Sequence, residues 1–217
     1  MNVTDRIIMI DTETTNSLDD PLCYDVGYQI FSLAEGVLVE RSFVNADVFY
    51  RADLMKDAYF AEKIPQYLEE LNEGTRKAKF WKTIKQIVRA DCEKYDVKIA
   101  CAHNAIFDNR ALNTTQRYIT SSQYRYFLPY GVEWWDTLKM ARKTLKENDD
   151  YRNFCETNSY LTENGQLRFT AEVIYRWLVN NVDFEECHTG LEDVKIEREI
   201  FEYLLTHNAE IDGRLWA

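Results

Sequence analysis

Glycine and proline are scarce in this chain: seven of one and three of the other in 217 residues. Such a composition excludes a collagen-like or linker-rich protein, and neither a low-complexity stretch nor an internal repeat interrupts the sequence. The five cysteines (Cys23, Cys92, Cys101, Cys155 and Cys187) never fall in a CxxC spacing. An odd, scattered set argues against a zinc ribbon and against a secreted disulfide scaffold; it fits thiols used as small hydrophobes in a reducing compartment. No apolar run approaches the ~20 residues that span a bilayer, and no basic, apolar, cleavable leader precedes the first strand. The expectation is a soluble, cytoplasmic protein with no membrane partner. Positive charge is also in deficit, with 26 Lys and Arg against 37 Asp and Glu and a net charge of −11. So acidic a chain does not attract nucleic acid as a whole. Any phosphate it holds needs local basic patches, or metal ions set among its acids.

What the chain has is enough length for one substantial core, or for one domain with a large insertion. Residues 6–13, Cys23 to Phe31 and Val37 to Val44 read as strands, with a turn-like break at Ser32-Leu33-Ala34-Glu35-Gly36. Together they predict an antiparallel three-strand start. Residues 46–95 look helical. From Phe80 the apolar positions Trp81, Ile84, Ile87, Val88 and Cys92 keep helical spacing, with Lys79, Lys82, Lys85 and Arg89 on another face. A short strand, Val97 to Ala102, leads to a helix from Asp108 to about Tyr118. A strand at Trp134 to Thr137 precedes a basic helix, Leu138 to Lys146. Helices near Thr170–Val179 and Leu191–Leu205 close the chain. Strands first, then strands alternating with helices, predict a mixed α/β domain.

Three places carry chemistry. In Ile7-Ile8-Met9-Ile10-Asp11-Thr12-Glu13 an apolar strand runs into two carboxylates, and alternation puts Asp11 and Glu13 on one face. Like charges at the end of a buried strand repel, and burial penalises both; a hard divalent cation such as Mg²⁺ or Mn²⁺ would resolve the conflict. A strand ending in solvated acids is the plainer alternative. Asp108 stands just past a buried strand at a helix opening, where open α/β sheets place ligands, although a helix N-terminal acid is also at home there. His188 precedes Gly190, and Asp193 lies in the first turn of the helix that follows. A loop histidine so placed suits a general base, or has no role at all.

Taken together, these segments resemble the DnaQ-like 3′–5′ exonucleases of the DEDDh type, members of the ribonuclease H-like superfamily. The first motif resembles Ile10-Asp11-Thr12-Glu13-Thr14-Thr15. The second resembles Ala102 to Leu112, through His103-Asn104-Ala105-Ile106-Phe107-Asp108. The third, His followed by four residues and Asp, resembles His188 to Asp193 and continues into Glu197 and Leu204. Trp135 to Arg142 resembles the strand-and-helix link found between the last two. The likeness spans residues 6 to about 206, and Thr189, four before Asp193, speaks against the tyrosine variant of the superfamily.

The resemblance implies a ribonuclease H-like mixed sheet with the antiparallel three-strand start, flanked by helices. It implies a single exonuclease domain over 1–217, with a helical insertion at about 46–95. The implied activity is metal-dependent 3′–5′ hydrolysis of single-stranded DNA ends, releasing nucleoside 5′-monophosphates. The alternatives are an exoribonuclease resembling ribonuclease T or oligoribonuclease, and a catalytically idle module that binds nucleic acid or a polymerase. By position, Asp11 would touch two Mg²⁺ or Mn²⁺ ions, Glu13 and Asp193 would complete the catalytic one, and Asp108 would help hold the second through water. His188 would take the proton from the attacking water. Thr12 and Thr14 would cradle the terminal nucleotide, and Asn104 is either a substrate contact or a helix cap. The implied partners are nucleic acid 3′ ends, DNA before RNA, and a DNA polymerase; the layout is bacterial or phage-like.

Two departures stand out. Asn16 replaces the family's usual Gly, a change that a left-handed backbone tolerates, and 46–95 exceeds what the family core requires. His103 and His207 are expected to serve structure. Two features are expected more often as packing than as function. They are the aromatic-basic stretch of Arg117, Tyr118, Tyr124, Arg125, Tyr126, Phe127 and Tyr130, which could stack bases, and the row Lys79, Lys82, Lys85 and Arg89, which could track a backbone.

Overall fold

The computed structural model describes residues 5–15, 20–120, 125–208 and 211–216; Asn16 and Tyr124 lie outside them. The first apolar strand, β1 (Ile7–Thr15), pairs antiparallel with β2 (Leu22–Ser32), and β2 pairs antiparallel with β3 (Gly36–Asn45). This is the expected antiparallel start. On its other side β1 pairs in parallel with β5 (Ile99–Ala102), which pairs in parallel with β6 (Glu133–Asp136). A three-residue strand, β4 (Lys77–Lys79), lies parallel to β3 and completes a six-stranded sheet in the order β4-β3-β2-β1-β5-β6.

β4 corrects the all-helical expectation for 46–95. That stretch holds α1 (Ala46–Phe49), α2 (Ala52–Met55), a 3₁₀ turn at Ala61–Lys63 and α3 (Ile64–Glu73); β4 follows, and then α4 (Trp81–Lys94). Lys-Ala-Lys is too short and too polar to show a strand period, and only its pairing with β3 reveals it. The helices α5 (Ala105–Ile119), α6 (Thr137–Leu145), α8 (Ala171–Leu178) and α9 (Gly190–His207) fall where their patterns put them. α7 (Asp149–Thr157) was not anticipated, since its only fully buried positions are Tyr151 and Cys155.

The sheet separates two cores. Ile8 and Ile10 of β1 pack with Trp81, Ile84 and Val88 of α4 and with Leu112 of α5. Ile7 and Met9 point the other way, into Met140, Tyr151, Ile174, Ile200 and Phe201 from α6 to α9. Fully burying each such side chain contributes about 1.5–3 kcal/mol, and this anchors a strand whose far end carries charge. Both rims of the sheet are protected. The short β4 brings two lysines to one edge, and the Asp136 N–H and Leu215 N–H bond to the Gly213 and Trp134 carbonyls along the other. No helix among the described residues is long and apolar enough to cross a membrane.

Candidate active site

Alternation along β1 decides the site. Asp11 and Glu13 continue the Ile7–Met9 face toward α9, whereas Thr12 continues the Ile8–Ile10 face toward α5. β5 accompanies β1 only from Ile7 to Met9, and then turns off at Ala102 toward α5. Between Met9 and Thr14 this side of β1 has no strand neighbour among the described residues, before Ala58 bridges Thr15, and a crevice opens at the carboxyl ends of the parallel strands.

α9 reaches that crevice through two glycines. Gly27, the register partner of Asp11 on β2, lies so close to the helix start that a Cβ there would be 2.2 Å from the Gly190 carbonyl carbon. A Cβ on Gly190 would be 2.8 Å from the Gly27 nitrogen. Backbone on backbone, this contact lowers the first turn of α9 onto the sheet. Asp193 then meets the strand acids: Asp11, Glu13 and Asp193 each offer an oxygen within 4.8 Å of the others. Asp193 Oδ1 is buried with no hydrogen-bond partner. A further acid fastens the same turn from behind. Asp25 Oδ2 accepts from Gly190 N–H (3.1 Å), Tyr67 O–H (2.7 Å) and Arg76 Nη1 (2.8 Å).

Asp108 enters from the opposite face. It lies in the first turn of α5, buried, and its Oδ1 accepts both the Thr12 N–H (3.1 Å) and the Thr12 hydroxyl (2.9 Å). The expected nucleotide-cradling hydroxyl of Thr12 is thus engaged in holding an acid. Burial pushes Asp108 up to about 7 against these two bonds. Burial likewise carries Asp193 up to about 7, opposed by the backbone N–H groups of His188 and Thr189. Asp11 is raised well above the carboxylate range by burial, and then by Glu197, Asp108, Glu13 and Asp193 in turn. Glu13 is raised by burial, then by Asp193 and Asp25. Among the described residues no cation opposes the acids crowded here, and the buried Asp193 Oδ1 has no donor. Hard oxygen donors of this kind suit a divalent ion that prefers oxygen, so the residues present fit Mg²⁺ or Mn²⁺.

His188 lines the groove that holds the cluster, with φ at +51°, the left-handed region. Its imidazole stacks on Phe60, with ring centroids 4.0 Å apart and planes 10° from parallel. Nδ1 is 4.0 Å from the Glu186 carboxylate. Burial lowers the imidazole below its ordinary value, which keeps it neutral and able to accept a proton at neutral pH. Phe60 is delivered by the chain between α2 and the 3₁₀ turn, docked on β1 by the bond from Tyr59 N–H to the Thr14 carbonyl (3.2 Å).

A groove of about 1880 Å³ contains the five acid and histidine positions together with Thr12, Thr14 and Asn104. Asn104 precedes α5 with φ at +71°, makes no side-chain cap, and lines the groove. His103 is held in the structure, between the Thr137 hydroxyl (2.9 Å) and the Phe169 carbonyl (2.7 Å). His207 stacks on Tyr203 at the far end of α9. The aromatic-basic stretch is not brought to the acids: Phe127 is buried against Trp81, and Tyr126 and Tyr130 are exposed outside the groove. Arg89 donates to the Phe127 and Leu128 carbonyls and fastens that loop; Lys82 and Lys85 do not line the groove.

Three participants were missed as site residues. Glu186, pushed up to about 8 by burial and by Asp193, lies two residues before His188. Glu197 follows Asp193 by one helical turn, and its buried carboxylate accepts the His103 N–H (3.2 Å). Helical periodicity from Asp193 would have found it. Phe60 carries no sequence signal, because only the fold of 46–80 brings it to His188.

No protein-family profile and no curated protein matches the chain by sequence. Among solved structures it is similar to E. coli exonuclease I in complex with a dA16 oligonucleotide, at 12% identity and a TM-score of 0.56. It is similar to the same enzyme in an ExoI/SSB-Ct complex, at 13% and 0.60. A third likeness is to cell-death related nuclease 4 (CRN-4), at 9% and 0.54, covering 93% of this chain and 64% of that one. Against exonuclease I the match covers 94% of this chain but 41% of the enzyme, so the chain spans about two fifths of its length. The architecture that brings these acids together is therefore a ribonuclease H-like fold, shared with exonuclease I and CRN-4.

Proposed function

We propose that this chain is a metal-dependent 3′–5′ exonuclease that releases nucleoside 5′-monophosphates from single-stranded DNA ends. The observation that carries the reading is the convergence of Asp11, Glu13 and Asp193 within 4.8 Å, in a groove that His188 also lines. Asp11, Glu13 and Asp193 would hold one divalent ion, and Asp11 with Asp108 a second. When bound, the ions supply Lewis-acid stabilisation of the phosphate and lower the pKa of water.

The chain's own groups do the rest. His188, neutral and stacked on Phe60, accepts the proton of the attacking water. Thr12 fixes the Asp108 carboxylate through two donors. Asp25 holds the first turn of α9, and with it Asp193, at the strand end. Thr14 and Asn104 line the groove where the terminal nucleotide would rest.

The test offers matched 5′-labelled DNA and RNA oligonucleotides, single- and double-stranded, with Mn²⁺ or Mg²⁺. Single-stranded DNA should shorten progressively from its 3′ end, chelation should stop it, and Asp11→Asn should abolish it. Degradation of a strand with a blocked 3′ terminus would overturn the polarity. Preferential loss of the RNA would transfer the reading to an exoribonuclease.

A further inference from the structure

The groove does not end at the acids. Its distal wall is built by α6, α7 and the segment 161–168, and four cations line it: Arg142, Lys146, Arg152 and Arg168. None has a carboxylate partner among the described residues, although acids outnumber cations 37 to 26 in the chain. Elsewhere arginines are neutralised, as in Arg41–Asp91, Arg76–Asp25, Arg176–Glu172 and Arg198–Glu202. Glu156 and Glu163 also line this wall, and neither forms an ion pair with the four.

One of the four is placed against the fold's own preference. Arg142 and Lys146 sit at the C-terminal end of α6, which welcomes cations, and their mutual repulsion four residues apart is only about 0.2–0.5 kcal/mol. Arg152 is the fourth residue of α7, at the helix end whose dipole repels a cation. Two of the four are nonetheless held in place by uncharged partners. Arg152 Nη2 donates to the Lys146 carbonyl (2.9 Å), and Arg168 Nε to the Leu161 carbonyl (3.1 Å). A carbonyl fixes a guanidinium without cancelling its charge, so the wall presents oriented, unneutralised cations beside the acidic centre.

We infer that this wall is the track for the phosphodiester backbone of the strand on the 5′ side of the bond being cleaved. The inference rests on the nuclease reading above, and adds where the polyanion lies and what holds it. A protein of net charge −11 gains its hold on nucleic acid through this wall as well as through ions at the acids.

The experiment measures the affinity of a fluorescent single-stranded 12-mer by anisotropy in Ca²⁺, over a salt series. Each neutralised phosphate contributes about 0.7 to the slope of log K against log salt for a single strand. Arg142→Gln/Lys146→Gln and Arg152→Gln/Arg168→Gln should each lower the slope by about 1.4, and weaken binding at low salt by tenfold or more. Lys77→Gln/Lys82→Gln removes the same charge outside the groove and should leave the slope unchanged. Thermal unfolding of each pair confirms that the fold is intact. Hydrolysis of the strand with slopes unmoved in both groove pairs would overturn the wall and spare the nuclease. The expected slopes without hydrolysis in Mn²⁺ would uphold the wall as a backbone-binding surface and overturn the nuclease, and with it the placement relative to a cleaved bond. A wild-type protein that does not bind the 12-mer overturns the wall.

Discussion

Replacing Gly27 with alanine tests the construction of the site most directly. The new methyl would be 2.2 Å from both the Gly190 carbonyl carbon and the Leu191 nitrogen, and 2.5 Å from the Gly190 oxygen. All three are backbone atoms, so no side chain can swing aside. Ordinary contact requires about 3.5–4.0 Å, and the first turn of α9 must withdraw by roughly 1.3–1.8 Å to reach it. Asp193 rides on that turn, while Asp11 and Glu13 remain on β1. Ligand distances in a metal site tolerate only about ±0.2 Å, so the cluster should lose its grip. Overpacking of this kind costs about 1–3 kcal/mol of stability, and displaced support shells typically cost 10–100-fold in metal affinity. Calorimetric titration with Mn²⁺ should show at least the tenfold loss, with urea unfolding in chelator registering the destabilisation. Gly190→Ala, whose methyl would lie 2.8 Å from the Gly27 nitrogen and 3.1 Å from the Asp11 carbonyl oxygen, should show a milder form of both. Metal affinity within twofold of wild type in Gly27→Ala, with the protein folded, would refute this account of how the acids are assembled.

Other expectations follow from the same geometry. Asp108 and Asp193 titrate near 7 in the folded protein against about 4 unfolded, so without metal the folded state binds more protons across that interval. The stability they contribute is present below about pH 4 and lost as pH rises through 7; a urea midpoint that rises from pH 5 to 8 in chelator would contradict this. His188→Ala should cut turnover by about 10²–10⁴-fold, and the rising limb of the wild-type rate profile should fall below the ordinary histidine value of ~6.5. Undiminished turnover in that variant would remove His188 from the mechanism. Phe60→Ala, which frees the imidazole, should lower kcat more than it raises KM, with Phe60→Tyr restoring it; an unaltered kcat would show that the stack has no positioning role.

Much of this was legible because β1 states its own geometry: four apolar residues define a buried strand, and alternation fixes which way Asp11 and Glu13 point. The α9 start was equally readable, since Gly190 breaks the chain and Val194, Ile200 and Leu204 set the helical face. The sheet's outer strand was not legible, because Lys77–Lys79 is strand only through its partner. Gly27 looked like any strand residue; its importance lies in a close approach by residue 190, which no local pattern records. Phe60 and the carboxylate pocket of Asp25 likewise depend on contacts across long sequence separations.

Asp25 has a consequence for how the molecule opens. Its carboxylate joins β2, the 67–76 region and the first amide of α9, and Arg76 also reaches Glu70 and Ser42. If the 67–76 region detaches, the buried Asp25 carboxylate loses its Arg76 partner, at a cost of about 3–5 kcal/mol; if α9 detaches, it loses the Gly190 N–H. Partial unfolding that frees one piece while the other stays docked is correspondingly rare. The 67–76 region and α9 are then expected to exchange their amide hydrogens as a single cooperative unit, and damage to a surface far from the acids should be felt at Asp193 as a loss of order.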